Sequence, residues 1–308
     1  MSTAILIAVE PIAITNSMLV SSSVPETDEA WSKDKTYAVG ARVRHPTTNR
    51  LYESGKATNL NHDPNLPENT AGTTPWWIDL DTVTNRMLMF DSEVNTQTVG
   101  DSPMSVVLRP GFASDFYFAG LDADFLTLTV RDKPGGAVIF QKVQELESSA
   151  PGDYDEYFWG DFKPMTDLFI GDVDPYFNCE VTVTLTKASG QVKCGLMAVG
   201  ARVECGRTLA EAQVTPRTFA YIKTDDFGKT KIKRRNKATD MELTALVDRS
   251  EASTVLDAIQ RLQDVPCAWI ASSTPEYAGL RGFGLGSGTL TYNGSDRVTL
   301  RFKLQGFI

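Results

Sequence analysis

Apolar and polar residues alternate in segment after segment of this chain, and that period of two restricts its fold more than any other feature. The segments are SVVLRP (105–110), DFLTLTVRD (124–132), GAVIFQKV (136–143), DLFIGDV (167–173), CEVTVTLTKA (179–188) and GLMAVGARVE (195–204), separated by Gly, Pro, Asp and Asn turns. Successive side chains of a strand point to opposite faces, so each segment offers one apolar face to a core. Several such strands with no convincing helix between them predict an antiparallel β-sandwich over 81–205.

After residue 205 the pattern changes. RTFAYIKTDDFGKTKIKRRNKATDMELTALV (217–247) reads as a hairpin centred on Asp226-Phe227-Gly228 with a returning strand. A helix is expected over 251–263, with Ser250 as N-cap, Val255, Leu256, Ile259 and Leu262 as one apolar stripe, and Pro266 closing it. Further strands follow, so 206–308 is expected to be a β-sheet domain with one packing helix. The front of the chain divides in two. AILIAVEPIAIT (4–15) and the polar SSSVPETDE (21–29) make residues 1–27 an extended arm, whose strand must pair with its own sheet or with a neighbouring subunit. Residues 28–80 are turn-rich and poor in aliphatics, so their core must come from Trp31, Tyr37, Tyr52, Trp76 and Trp77. The expected fold class is mainly β throughout: a small aromatic module, a β-sandwich and a sheet-plus-helix domain.

Composition narrows the function. The 308 residues suffice for two or three domains, and a net charge of −9 argues against general nucleic-acid binding, which rests on neutralising phosphates. No apolar run reaches the ~18 residues of a membrane span. The apolar start lacks a basic region and is interrupted by Glu10 and Pro11, so it is not read as a signal peptide. Cys179, Cys194, Cys205 and Cys267 form no C-x-x-C pair and, with only His45 and His62 beside them, no zinc set; no metal or cofactor is expected. Buried thiols in a protein made in a reducing cytoplasm fit best.

Enzyme motifs are scarce, and no catalytic residue is assigned. GFGLGSG (282–288) matches no phosphate-loop spacing. Its Gly282, Gly284 and Gly286 recur every second residue, which suggests a strand face left bare for close approach by another backbone or subunit. PGDYDEYFWGDF (151–162) holds Asp155, Glu156 and Asp161, which as paired carboxylates in a groove would suit glycoside hydrolysis or, as an acidic set, calcium; a solvated loop or subunit contact is the plainer reading. KTKIKRR (229–235) places Lys229, Lys231, Lys233 and Arg235 on one face of a strand, a basic ladder suited to an acidic partner surface.

Two resemblances sharpen these readings. Trp31-x(5)-Tyr37-x(2)-Gly40, then Val43, Leu51-Tyr52 and GTTPWWIDL (72–80), resemble the small carbohydrate-binding modules appended to chitinases and cellulases. The resemblance implies that Trp31, Tyr37 and Trp77 are scaffold, and that Tyr52 and Trp76 are exposed for stacking on sugar rings. The aromatics that such modules carry just after the strand tyrosine are missing from YESGKATNLNHDP (52–64). PWWIDLDTVTNRMLMFDSEVNTQTV (75–99), together with GDYDEYFWGDF, NCEVTVTLT and VKCGLMAVG, resembles a group of tailed-bacteriophage virion proteins. That likeness implies a non-enzymatic component of a tail tip, baseplate or neck, synthesised in the host cytoplasm. It would assemble in a ring with copies of itself and other virion proteins, with a cell-surface polysaccharide as a further contact. A carbohydrate-binding adhesin, and a glycan-degrading enzyme with an accessory module, are the alternatives.

Overall fold

The computed structural model describes residues 4–147, 164–224, 228–233, 237–292, 294 and 296–307, and the architecture is mainly β. In the first half the strands are β1 (Ile5–Pro11), β2 (Leu19–Ser22), β3 (Thr36–Tyr37), β4 (Arg42–Arg44), β5 (Arg50–Ser54), β6 (Asn59–Leu60), β7 (Trp77–Val83), β8 (Thr98–Gly100), β9 (Met104–Gly111), β10 (Asp115–Ala119), β11 (Phe125–Arg131) and β12 (Val138–Glu145). The second half supplies β13 (Asp167–Ile170), β14 (Cys179–Thr186), β15 (Val192–Cys194), β16 (Leu196–Thr218), β17 (Tyr221–Thr224), β18 (Thr230–Lys233), β19 (Lys237–Asp248), β20 (Cys267–Ile270), β21 (Arg281–Tyr292) and β22 (Arg297–Gly306).

The sandwich forms where alternation predicts it. One sheet runs β12-β11-β14-β9-β2, with β14 alternating buried and half-buried along its whole length. Its inward residues, among them Leu126, Leu128, Val181, Val183, Val106 and Leu108, share a core with Phe116, Phe118, Leu168, Ile170, Met197 and Val199 of a facing sheet. That facing sheet is β13, β10 and the first turn of pairing along β16. The reverse face of the same strands is covered too: Tyr117, Phe169, Leu196 and Ala198 pack with Ile7, Val9, Ile270 and Phe283. All five residues of β10 are therefore buried, which is why FYFA (116–119) reads as an apolar run with no alternation.

The C-terminal sheet closes on itself. β1 pairs with β20 on one side and β16 on the other, and β20-β21-β22-β19-β16 completes a ring of six antiparallel strands. Closure removes the unpaired strand edges that would invite foreign pairing. Inside lie Leu6, Ala8, Leu243, Ala245, Trp269, Leu300 and Phe302, joined by Val255, Ile259 and Leu262 of the helix Ala252–Leu262. Three residues of the expected apolar stripe pack as read, whereas Leu256 stays half-buried outside this core and Ala252 takes a buried place instead. Ser250 does not cap the helix: Glu251 occupies the N-cap position, without a side-chain hydrogen bond. Instead the Glu251 amide donates to the Asp248 carbonyl at 2.9 Å, so the preceding turn supplies the entry geometry.

Two expectations about organisation need correction. The described residues of the expected arm, 4–27, are no extended arm, because β1 is a buried stave of the barrel, with Leu6, Ala8 and Val9 each 0 % exposed. Of the two alternatives for this strand, the chain's own sheet takes it. Nor does a domain boundary fall at 205, in the middle of β16. β16 pairs with β10 over residues 196–200, with β1 over 200–207 and with β19 from 207 to 218, so one strand serves both sandwich and barrel. Gly200 faces both Pro11 and Asp115, and a Cβ there would lie 1.9 Å from the Glu10 carbonyl oxygen; only glycine fits where the three strands converge. Beside it Arg202 donates to the buried Asp115 at 2.8 Å and pairs with Asp172 at 2.6 Å, holding the junction.

The aromatic module is a three-stranded sheet, β4-β5-β7, beside the pair β3-β6. It is fixed to the body by Asn16, which donates to the Pro46 carbonyl at 2.7 Å and accepts from Asn49 at 2.8 Å, and by Glu26, which lies 3.7 Å from Arg44 of β4 and 2.8 Å from Arg86.

Candidate functional site

Within the module, Tyr37, Val43, Tyr52 and Trp77 form a closed minicore against which Trp31, Ala41 and Trp76 pack. The Tyr37 and Trp77 rings meet edge to face at 5.3 Å. Each polar tip is satisfied: the Tyr37 hydroxyl accepts from the Ser32 amide at 2.8 Å, and the Trp77 indole N–H donates to the His62 carbonyl at 2.7 Å. Trp31 is half-buried and stacks on His45 with ring centroids 6.4 Å apart.

The two sugar-stacking candidates fare differently. Tyr52 is not exposed; only 3 % of it is accessible. β5 is the central strand of its sheet, and both Leu51 and Tyr52 are covered, so the residue that alternation would turn outward is enclosed by the minicore. Burial, and next the Asp79 carboxylate, push the Tyr52 phenol above its ordinary range, with Arg50 opposing them. Arg50 itself is held by Asp79 at 2.9 Å and Asp81 at 3.0 Å. Trp76 reaches the surface half-buried. Its indole already carries the His62 ring, stacked at 3.7 Å and 16°, and the Lys56 ammonium at 4.4 Å. A sugar stacking there must displace one of them.

The second surface is the hairpin beyond the barrel. β17 and β18 pair as an isolated two-stranded ribbon, Tyr221 opposite Lys233 and Lys223 opposite Lys231. These four share one face, since alternate residues and their direct cross-strand partners do. Ile232 lies on the other face, 62 % exposed. The expected ladder is thus partly redrawn: Lys231 and Lys233 lie in line, Lys229 precedes the strand, and Arg235 lies outside the described residues. Lys223 joins them from the facing strand, a neighbour that only the cross-strand register reveals. At the ribbon's root is an open groove of about 540 Å³, walled by Asp91, Glu93, Arg217, Phe219, Pro266 and Phe307.

The glycines of β21 face inward. A Cβ on Gly286 would meet the Trp269 ring at 2.3 Å, one on Gly284 the Gln305 carbonyl oxygen at 2.0 Å, and one on Gly282 the Leu304 side chain at 2.9 Å. Within the chain, the bare face of Gly282, Gly284 and Gly286 admits the barrel's own tryptophan, leucine side chain and backbone. The carboxylates Asp155, Glu156 and Asp161 lie outside the described residues. All four cysteines are free and buried, and burial raises each thiol, Cys194, Cys205 and Cys267 to about 12, leaving them protonated and inert near neutrality. Among the described residues no group of three His, Cys, Asp or Glu side chains is placed to hold a metal, and no helix is long and apolar enough to cross a membrane.

Fold and surfaces together define a mainly β protein, a sandwich and a closed barrel sharing one strand, with an aromatic module at one place and a basic ribbon at another. No protein-family model matches the chain, and no curated protein matches it either. Among solved structures it is similar to CpGH89CBM32-6 from Clostridium perfringens, at 13 % identity and a TM-score of 0.25, over 35 % of this chain and 79 % of that one. It is also similar to the F5/8 type C domain of a Bacteroides fragilis protein, at 14 % identity and a TM-score of 0.25, over 36 % of this chain and 77 % of that one. Likeness at that level carries no inference about function.

Proposed function

We propose that the chain is a non-catalytic structural subunit of a multi-copy particle, a bacteriophage tail at its tip, baseplate or neck, where it joins a ring with copies of itself and other virion proteins. The observation that carries this reading is the ribbon. A two-stranded hairpin is marginal by itself in water, and this one presents Tyr221 and Ile232 at 54 % and 62 % exposure along with its lysines. Such an element makes sense as one half of a contact with another chain. The resemblance of DTVTNRMLMFD and its neighbouring segments to tail virion proteins supplies the particle. Labelling the chain in purified particles and imaging them tests the proposal. Discrete label at the tail is expected, and its absence from intact particles would overturn the reading.

A second reading, contact with a cell-surface glycan, is favoured by one observation: Trp76 reaches the surface of a module whose interior is built from the scaffold aromatics. Binding on a glycan array that Trp76→Ala abolishes would support it; an array with no signal from the intact protein would dismiss it.

A further inference from the structure

The ribbon and the body beneath it carry opposite charge. Residues 221–237 contain seven Lys and Arg against two Asp, a local +5 on a chain of −9, which leaves the remainder at −14. The described ribbon lysines are exposed. In the groove at the root, Arg217 is already engaged, by Asp240 at 3.3 Å and by the Gly306 carbonyl at 2.8 Å. Asp91 is half-buried and accepts from the Thr96 hydroxyl at 2.7 Å and the Glu93 amide at 2.9 Å, Glu93 is exposed, and neither forms an ion pair among the described residues. The same groove is also lined by Phe219 (39 % exposed), Pro266 and Phe307. A groove lined by both acids and aromatic rings complements the ribbon face, which pairs lysines with a tyrosine.

We propose that this groove receives the ribbon of a second copy of the chain, with Lys223, Lys231 and Lys233 meeting Asp91 and Glu93 while Tyr221 lies against Phe219 and Phe307. The proposal rests on the assembly reading above and names the partner. Because the ribbon and the groove are different surfaces, the contact is head to tail, and it closes into a ring or continues as a filament according to the rotation between copies. Charge complementarity of this sort steers association and fixes its register. Duplex nucleic acid is the other polyanion a basic ribbon suits. The −14 body repels it, whereas it does not repel a second copy arriving ribbon first.

Sedimentation velocity of the full-length protein decides the matter. Screening shortens from about 10 Å at 0.1 M salt to about 3 Å at 1 M, so self-association is expected at 0.1 M and at least tenfold weaker at 1 M. Lys231→Glu with Lys233→Glu, and separately Glu93→Lys, should each weaken self-association at least tenfold with the unfolding midpoint unchanged. Mixing the two variants should restore association, because the ribbon of the Glu93→Lys copy then finds an unaltered groove. The proposal is overturned if the protein stays monomeric at 0.1 M salt, or if the charge reversals leave self-association intact. It also fails if the lysine reversals abolish binding to a 30-base-pair DNA duplex and nothing else. Particles that incorporate the lysine-reversed chain normally would sink the docking while leaving the structural role standing; a chain absent from particles would remove that role whatever the sedimentation shows.

Discussion

Trp76 and Trp77 are adjacent in sequence, yet the first lies at the surface and the second, at 0 % exposure, at the centre of the minicore. Trp77→Ala removes the largest side chain of a core of few residues, and a loss of about 3–5 kcal/mol is expected in urea unfolding followed through the module. Trp76→Ala, which frees His62 and Lys56, should cost about 1 kcal/mol or less by the same measurement. Gly286→Ala tests the barrel: a methyl group 2.3 Å from the Trp269 ring overfills the core, and a loss of about 1–3 kcal/mol is expected in thermal unfolding. The cysteines give a pH dependence of known sign. Burial raises Cys194 and Cys205 from 9.0 to about 12, so the native state holds these protons more tightly than the unfolded chain. Their contribution is complete below pH 9 and is lost as pH rises from 9 towards 12, at roughly 1.4 kcal/mol per pH unit for each thiol. Denaturant midpoints that held steady across that range would contradict this.

At the scale of elements, β1 and the ribbon make opposite predictions. Deleting residues 1–11 removes a stave with neighbours on both sides and opens the barrel beside Trp269 and Cys205, so the truncated chain should bind a hydrophobic dye and fail to show a cooperative transition. Charge reversal at Lys231 and Lys233 should leave the transition where it is, since neither packs into a core. The same contrast shows what was legible beforehand. Strands whose faces differ, such as β14 and β22, announce themselves by alternation, and the helix by its stripe of Val255, Ile259 and Leu262. Covered strands do not: Tyr52 on β5 is enclosed on the side that pattern would leave open. Pairings distant in the chain are silent as well, because nothing local in AILIAVEP says that it closes a ring with residues 200–207 and 268–270. The Gly282–Gly288 run was legible as a site of close approach, but whether the intruder is another molecule or Trp269 depends on the closed barrel.

Among the described residues, three buried regions lie along the sandwich and barrel and a fourth, separate one in the module. Sandwich and barrel share β16 and the cluster around Tyr117 and Ile7, so they should melt in a single transition, while the module, tied on by a few polar contacts, should show its own. Calorimetry resolving sandwich from barrel would contradict that coupling. β16 has a mechanical meaning besides. Its 23 residues, at about 3.3 Å each, amount to roughly 75 Å of strand, with Gly206 at positive φ and a register shift between Thr208 and Ala212. Tension applied at the ribbon would travel down this one covalent cable and load β10, β1 and β19 in shear, where many hydrogen bonds must give way together. A neighbour pulling on the ribbon would therefore draw on the strength of the whole body, and the weakest link in a chain of such subunits would lie between molecules.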